Sequence, residues 1–220
     1  VSTPEDPASS RFGESFWRFY PRTVVGTFRK NLELERQRLA RVGKSAWSLA
    51  NETWRNVLIP VVLTVAAYAA GALLAPEASG LLGLGAGTTA ALVVVVQAVL
   101  GFSLLEIVNY LEHYGLERRK LPNGKYERVT PLHSWNSNHL VTNGFLYHLQ
   151  RHSDHHAWPA RRYQVLRNFP EAPQLPTGYA GMILLAAVPP LWFRVMDRRV
   201  LDFRERQARS EAVEGQGIVA

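Results

Sequence analysis

The 220 residues carry 25 Lys and Arg against 18 Asp and Glu, a formal charge of +7, and no cysteine. The missing thiols exclude a disulfide framework, a thiolate zinc site, an iron–sulfur cluster and a cysteine nucleophile; six Trp, eight Tyr and nine Phe exclude a disordered or collagen-like chain. Hydrophobic residues make up an ordinary 47%, but they sit in blocks, and so do the histidines.

Residues 1–56 form a polar, basic segment that opens on a turn-rich run, Val1 to Ser10. No initiator Met and no signal peptide are present, so the chain reads as a piece of something longer. From Thr27 to Trp54, apolar Leu32, Leu34, Leu39, Val42, Trp47, Leu49 and Trp54 alternate with Arg36, Arg38, Arg41 and Lys44. Two readings stay open here: an amphipathic helix at a membrane surface, or a soluble helix with a solvated charged face.

Val57 to Ala75 holds no charge and, at about 1.5 Å per residue, matches the hydrocarbon thickness of a bilayer. Pro60 is expected in its first turn or two, where proline costs least. After the link Pro76–Gly80, a second apolar block runs from Leu81 to Leu111 with Glu106 as its one charge. The pair reads as a transmembrane helical hairpin over 57–111, ahead of a pair of soluble core helices. Ten Lys and Arg precede it in residues 11–55, none lie in the link, and five follow in 117–128. The positive-inside rule therefore puts both hairpin ends in the cytoplasm. Topology accounts for the basic charge, and no nucleic-acid motif is present.

Residues 112–176 form a polar cap. The apolar stretch 177–196, broken by Pro189-Pro190, is expected as a buried or interfacial segment rather than a third span. Residues 197–220 read as a charged, then Gly-rich, partly disordered tail that frays at its end.

All seven histidines fall between His113 and His156. In LQRHSDHH, positions His152, His155 and His156 stand at i, i+3 and i+4, which share one helix face. Three imidazoles so presented suit iron, copper, zinc or nickel. Asp154 is a candidate acceptor to orient a ligand ring. His113, in NYLEHYG at the end of the second apolar block, is placed to meet that helix. Glu106 and Asn109 lie on the side of His113, and ionisable groups in a span tend to be functional. Glu112 and His148 are further candidates close to the ligands, with His148 alternatively a packing residue. His133 and His139 sit in a turn-rich loop and read as structural.

These residues resemble the membrane alkane hydroxylases of the integral-membrane fatty-acid desaturase/hydroxylase superfamily. The likeness rests on TPEDPAS (3–9), RFGESFWRF (11–19), NYLEHYGL (109–116), HSWNSN (133–138), LQRHSDHHA (149–157), RRYQVLR (161–167), LPTGY (175–179) and PPLW (189–192). It implies an all-α integral membrane fold: a hairpin and a cytoplasmic histidine-rich helical cap, part of a six-helix membrane diiron enzyme. It further implies two non-haem iron ions, with His113, His152, His155 and His156 as metal ligands. The family's two earlier histidine boxes are absent, so these residues form a C-terminal fragment that should not complete the diiron site alone. For the intact protein the resemblance implies hydroxylation of the terminal carbon of alkanes with O2, in the bacterial inner membrane. Electrons would come from rubredoxin with its reductase; the lack of cysteine puts that carrier outside this sequence. Leu100, Leu104, Leu105, Phe145 and Leu149 are candidates to line the alkane channel, or are ordinary packing or lipid-facing residues. Arg151, Arg161, Arg162 and Arg167 are candidates to dock the acidic carrier, or to anchor the cap near the membrane. The alternatives are an acyl desaturase or hydroxylase, an aromatic-side-chain monooxygenase, or a non-catalytic metal- or haem-binding membrane protein.

Overall fold

The computed structural model describes residues 1–217, and these are helical, with only isolated bridges and no strand among them. The α-helices are α1 (Phe16–Arg41), α2 (Glu52–Leu74), α3 (Ala86–His113), α4 (Leu140–Phe145), α5 (His152–Ala157), α6 (Tyr179–Ala186) and α7 (Pro189–Gly217). The chain divides into two compact units, 1–23 with 106 onward, and 24–105.

The second unit holds the basic part of α1, all of α2 and most of α3. Arg36 pairs with Glu33 at 2.7 Å and Arg38 with Glu35 at 2.6 Å, one turn apart on α1. The helix closes on Gly43 at φ 66°, where the Gly43 amide reaches Ala40 O and the Lys44 amide reaches Leu39 O. That left-handed cap is open to glycine at little cost. Trp47 stacks on Trp54 with centroids 5.4 Å apart.

Helix α2 begins earlier than its apolar block. Asn51 Oδ1 accepts the Thr53 amide at 2.9 Å, a side-chain cap that starts the helix at Glu52. Pro60 therefore stands inside α2 rather than in its first turn, and Thr64 Oγ1 donates to the Pro60 carbonyl at 2.7 Å. The link to α3 is longer than Pro76–Gly80. A single 3-10 turn at Leu81–Gly83, with Leu82 at φ 60°, reverses the chain before α3 starts at Ala86. A Cβ on Gly87 would lie 2.7 Å from Tyr68 O, and one on Gly71 2.7 Å from Ala86 O, so α2 and α3 approach backbone to backbone.

Both helices are long and apolar enough to cross a membrane. None of the apolar window of α2, and 6% of that of α3, is buried within the chain. Uncovered apolar faces of this length are what bilayer-facing helices present.

The first unit packs around aromatic side chains. Tyr110 is enclosed by Trp192, Phe19 and Tyr114, at centroid distances of 4.9, 5.5 and 5.5 Å. Trp135, Tyr179, Met182, Met196 and Val200 complete the same core. The apolar stretch around Tyr179 resolves into two helices. Pro189 and Pro190 start α7 instead of breaking a helix, because first-turn positions need no amide donor. Asp197 onward continues α7 to Gly217; the expected fraying at 218–220 lies outside the described residues.

Candidate metal centre

Three segments bring the histidines together. His113 is the last residue of α3, and His152 and His156 lie one turn apart on α5. The short α5 is held by the HSWNSN loop. Asn136 Oδ1 accepts the Ser153 amide at 2.9 Å, which caps the start of α5, and Asn136 Nδ2 bonds Ser134 O and Ser153 Oγ. The Asn136 amide donates to Pro173 O and its carbonyl accepts from Leu175, at 2.8 and 2.7 Å. Trp135 covers the end of α3: its amide donates to Glu112 O and its indole to Tyr114 O, both at 2.8 Å.

One ring nitrogen each of His113, His152 and His156 lies within 4.8 Å of the others. The ring centroids stand 5.2 Å (113–152), 5.0 Å (113–156) and 4.2 Å (152–156) apart. His113 and His152 are buried, at 2% and 5% exposure. Burial, and then the neighbouring His155, holds His156 down at about 4. Burial, followed by the like charges His113, His156 and His155 would carry, holds His152 well below the usual imidazole range. At neutral pH these rings are neutral, the form that ligates metals.

Neither ring nitrogen of His152 has an aligned hydrogen-bond partner. Its Nε2 lies 3.0 Å from Glu112 Oε2, close in distance but out of line for a hydrogen bond. A buried polar atom without a partner is costly, so the unpartnered nitrogens of His152, facing the rings of His113 and His156, fit a cation. Imidazole donors of this kind suit iron, copper, zinc or nickel.

The other candidate residues are placed as follows. His155 is exposed and outside the three-ring group, its centroid 5.8 Å from that of His152. His148 does not share the α5 face, because the helix starts only at His152. It has φ 58° and its Nδ1 lies 3.2 Å from Tyr163 O. Glu112, 1% exposed, accepts the Tyr179 hydroxyl at 2.7 Å through Oε1. Glu106 Oε2 takes the Thr23 hydroxyl at 3.0 Å and the Asn109 amide at 3.5 Å, so this pair is bonded to Thr23 and not to a histidine among the described contacts. His133 caps its own turn through Thr130 and lies 3.2 Å from Glu127, while His139 is exposed just before α4 and makes no side-chain cap there.

Asp154 does not orient a ligand ring. It is fully buried, and its oxygens accept from Arg161 Nη1 at 2.7 and 2.6 Å, from the Arg167 amide at 2.9 Å and from Arg167 Nη2 at 3.1 Å. Burial alone would raise its carboxyl, but the Arg167 amide and the two guanidinium groups outweigh that and hold it below the usual range. Arg161 and Arg167 also lie over Trp158, at 5.0 and 4.5 Å. Arg151 donates to Leu166 O at 2.6 Å, while Arg162 is exposed. Leu100, Leu104, Leu105, Phe145 and Leu149 are all exposed on the chain.

Asn136, Ser153, Gln150 and Tyr179 were not singled out from the sequence. Their signal was present in the words HSWNSN, LQRHS and LPTGY, but as resemblance rather than as chemistry.

The chain is 51% identical to an alkane 1-monooxygenase of Acinetobacter baylyi over 92% of its own length and 46% of the relative's. It is 54% identical to alkane 1-monooxygenase 2 of Pseudomonas aeruginosa, over 91% and 49%. It is 27% identical to the hydroxylase component of a xylene/toluene monooxygenase of Pseudomonas putida, over 94% and 51%. The chain thus spans about half the length of the curated relatives it matches. A family model described as fatty acid desaturase matches residues 1–186, a stretch that holds both apolar helices and the whole histidine group. With its unburied spanning helices and converging buried imidazoles, the chain belongs to the fatty acid desaturase family of membrane proteins.

Proposed function

We propose that this chain supplies part of the iron site of a membrane monooxygenase that hydroxylates the terminal carbon of medium- and long-chain alkanes with O2. The observation that carries the reading is the meeting of three imidazoles, with both nitrogens of His152 left without a hydrogen bond. The relatives named alkane 1-monooxygenase support the substrate class.

His113, His152 and His156 hold iron, and His155 joins the ligand set of a two-iron site together with histidines outside these residues. Bound iron would supply the oxidant for an unactivated C–H bond. The chain's own part is to present neutral rings, exclude water around His113 and His152, and keep Glu112 beside His152. An alkane has no polar handle, so recognition falls to apolar contact with side chains such as Leu100, Leu104, Leu105, Phe145 and Leu149. Exposed Arg162, with Arg151, Arg161 and Arg167, offers positive charge to an acidic electron carrier, rubredoxin with its reductase. The hairpin spans the bacterial inner membrane with the histidines on the cytoplasmic side, following the Lys and Arg distribution.

A second reading, hydroxylation of methyl groups on aromatic rings, is favoured by the xylene/toluene relative. Product analysis of the full-length protein with rubredoxin, O2 and either octane or toluene separates the two. 1-Octanol is the expected product; benzyl alcohol alone, or only unsaturated acyl products, would overturn the alkane reading.

A further inference from the structure

The LPTGY word ends on Tyr179, the first residue of α6 and one of the fully enclosed side chains of the core. Its hydroxyl does not face water. It donates at 2.7 Å to Glu112 Oε1, and the other oxygen of that carboxylate lies 3.0 Å from His152 Nε2. A phenol on α6, a carboxylate on α3 and an imidazole on α5 thus adjoin one another in a dry interior.

We propose that Tyr179 is a positioning residue of the metal centre, acting through Glu112 on His152. The inference rests on reading the three histidines as iron ligands. A buried carboxylate with no fixed donor rotates toward whatever hydrogen bond it can find. Among the described contacts, the Tyr179 hydroxyl is the side-chain donor that holds Glu112 in place. With Oε1 so fixed, Oε2 is kept beside His152 Nε2, at 3.0 Å. Carboxylates beside metal-ligating imidazoles commonly set their orientation and basicity.

Tyr179 is itself held in register with α5. Its amide donates to Gln150 Oε1 at 2.8 Å, and Gln150, two residues before His152, is fully buried and bonded to Thr142. A Cβ on Gly178 would collide with the Thr142 hydroxyl, so glycine lets the start of α6 come this close. The start of α6 is therefore tied by its first amide to Gln150, just ahead of α5, and by the Tyr179 hydroxyl to the end of α3.

The test uses the full-length protein stripped of metal and titrated anaerobically with Co(II), whose visible bands report ligand geometry. Wild type, Tyr179→Phe, Glu112→Gln and the double variant form one cycle. Tyr179→Phe is expected to weaken Co(II) binding about tenfold or more and to shift its bands. The double variant is expected to bind no more weakly than Glu112→Gln alone. Tyr110→Phe serves as the control, because it deletes a buried hydroxyl that donates to Glu14 O at 2.7 Å, and it should leave the affinity unchanged. Wild-type affinity and bands in Tyr179→Phe, additive losses in the double variant, or an equal loss in Tyr110→Phe would each overturn the proposal. Should Tyr179→Phe fail to fold, Glu112→Asp withdraws the carboxylate from both Tyr179 and His152 by one methylene while leaving every residue of α6 in place. Unchanged Co(II) affinity there overturns it equally. A wild-type protein that binds no Co(II) would instead overturn the reading of the histidines as ligands.

Discussion

The two units of this chain solve opposite problems. The histidine-bearing unit buries its aromatic residues on itself: Tyr110, Trp135, Tyr179 and Trp192 are closed off within one core. Its polar groups are paired across long stretches of sequence, as Glu112 with Tyr179 and Asn136 with Ser153 show. In the other unit, Leu58, Ile59, Val62 and Leu63 of α2 stand exposed, and α2 and α3 approach closely at small residues such as Gly71 and Gly87. One unit gains its order from its own packing; the other presents apolar surface that a bilayer can solvate.

That contrast can be broken by paired substitutions. Trp192→Ala removes a fully buried ring and should cost about 3–5 kcal/mol of stability in detergent. Leu63→Ala on α2 should cost under about 0.5 kcal/mol by the same thermal measurement, because its side chain is already uncovered. Equal losses would erase the distinction. Asp154→Ala should come next, at about 3 kcal/mol, since it removes a buried carboxylate held by Arg161 and Arg167. Hydrogen exchange should then rise around α5 and leave α2 unchanged. Gly87→Leu drives a side chain toward Tyr68 O and should splay the hairpin at about 1–3 kcal/mol, read as faster proteolysis of the 75–85 link.

The smallest effect is electrostatic. The Arg38 hydrogen bond, followed by the Glu52 amide, holds the Glu35 carboxyl at about 2. Its folded value is depressed, so its contribution is present above the ordinary carboxylate value of 4.5. That contribution is lost as pH falls from there toward about 2. Exchange of the Glu52 amide should accelerate over that window, and Glu35→Gln should show the faster exchange already at neutral pH.

Both spanning helices were legible because a charge-free run of this length has few other uses. Their ends were not: Asn51 starts α2 early through a side-chain cap, and Leu82 turns the link through an uncommon backbone angle. Pro189-Pro190 does mark an interruption, which falls at 187–188, and the proline pair forms the first turn of the next helix. The crowding of histidines was visible as composition. The meeting of His113 with His152 and His156, with His155 outside, is a product of tertiary packing that spacing on an ideal helix overstates. The long-range bonds of Asp154, Asn136 and Tyr179 join segments that only folding brings together, so their sequence neighbours carry a family likeness but not the partners.

The most direct measurement is the iron content of the purified full-length protein and of its His113→Ala, His152→Ala and His156→Ala variants. Iron without haem absorption in the wild type, lost in each variant while the helical content is retained, is the expected result. Iron retained at wild-type level in all three variants would contradict the assignment of this histidine group as a metal centre.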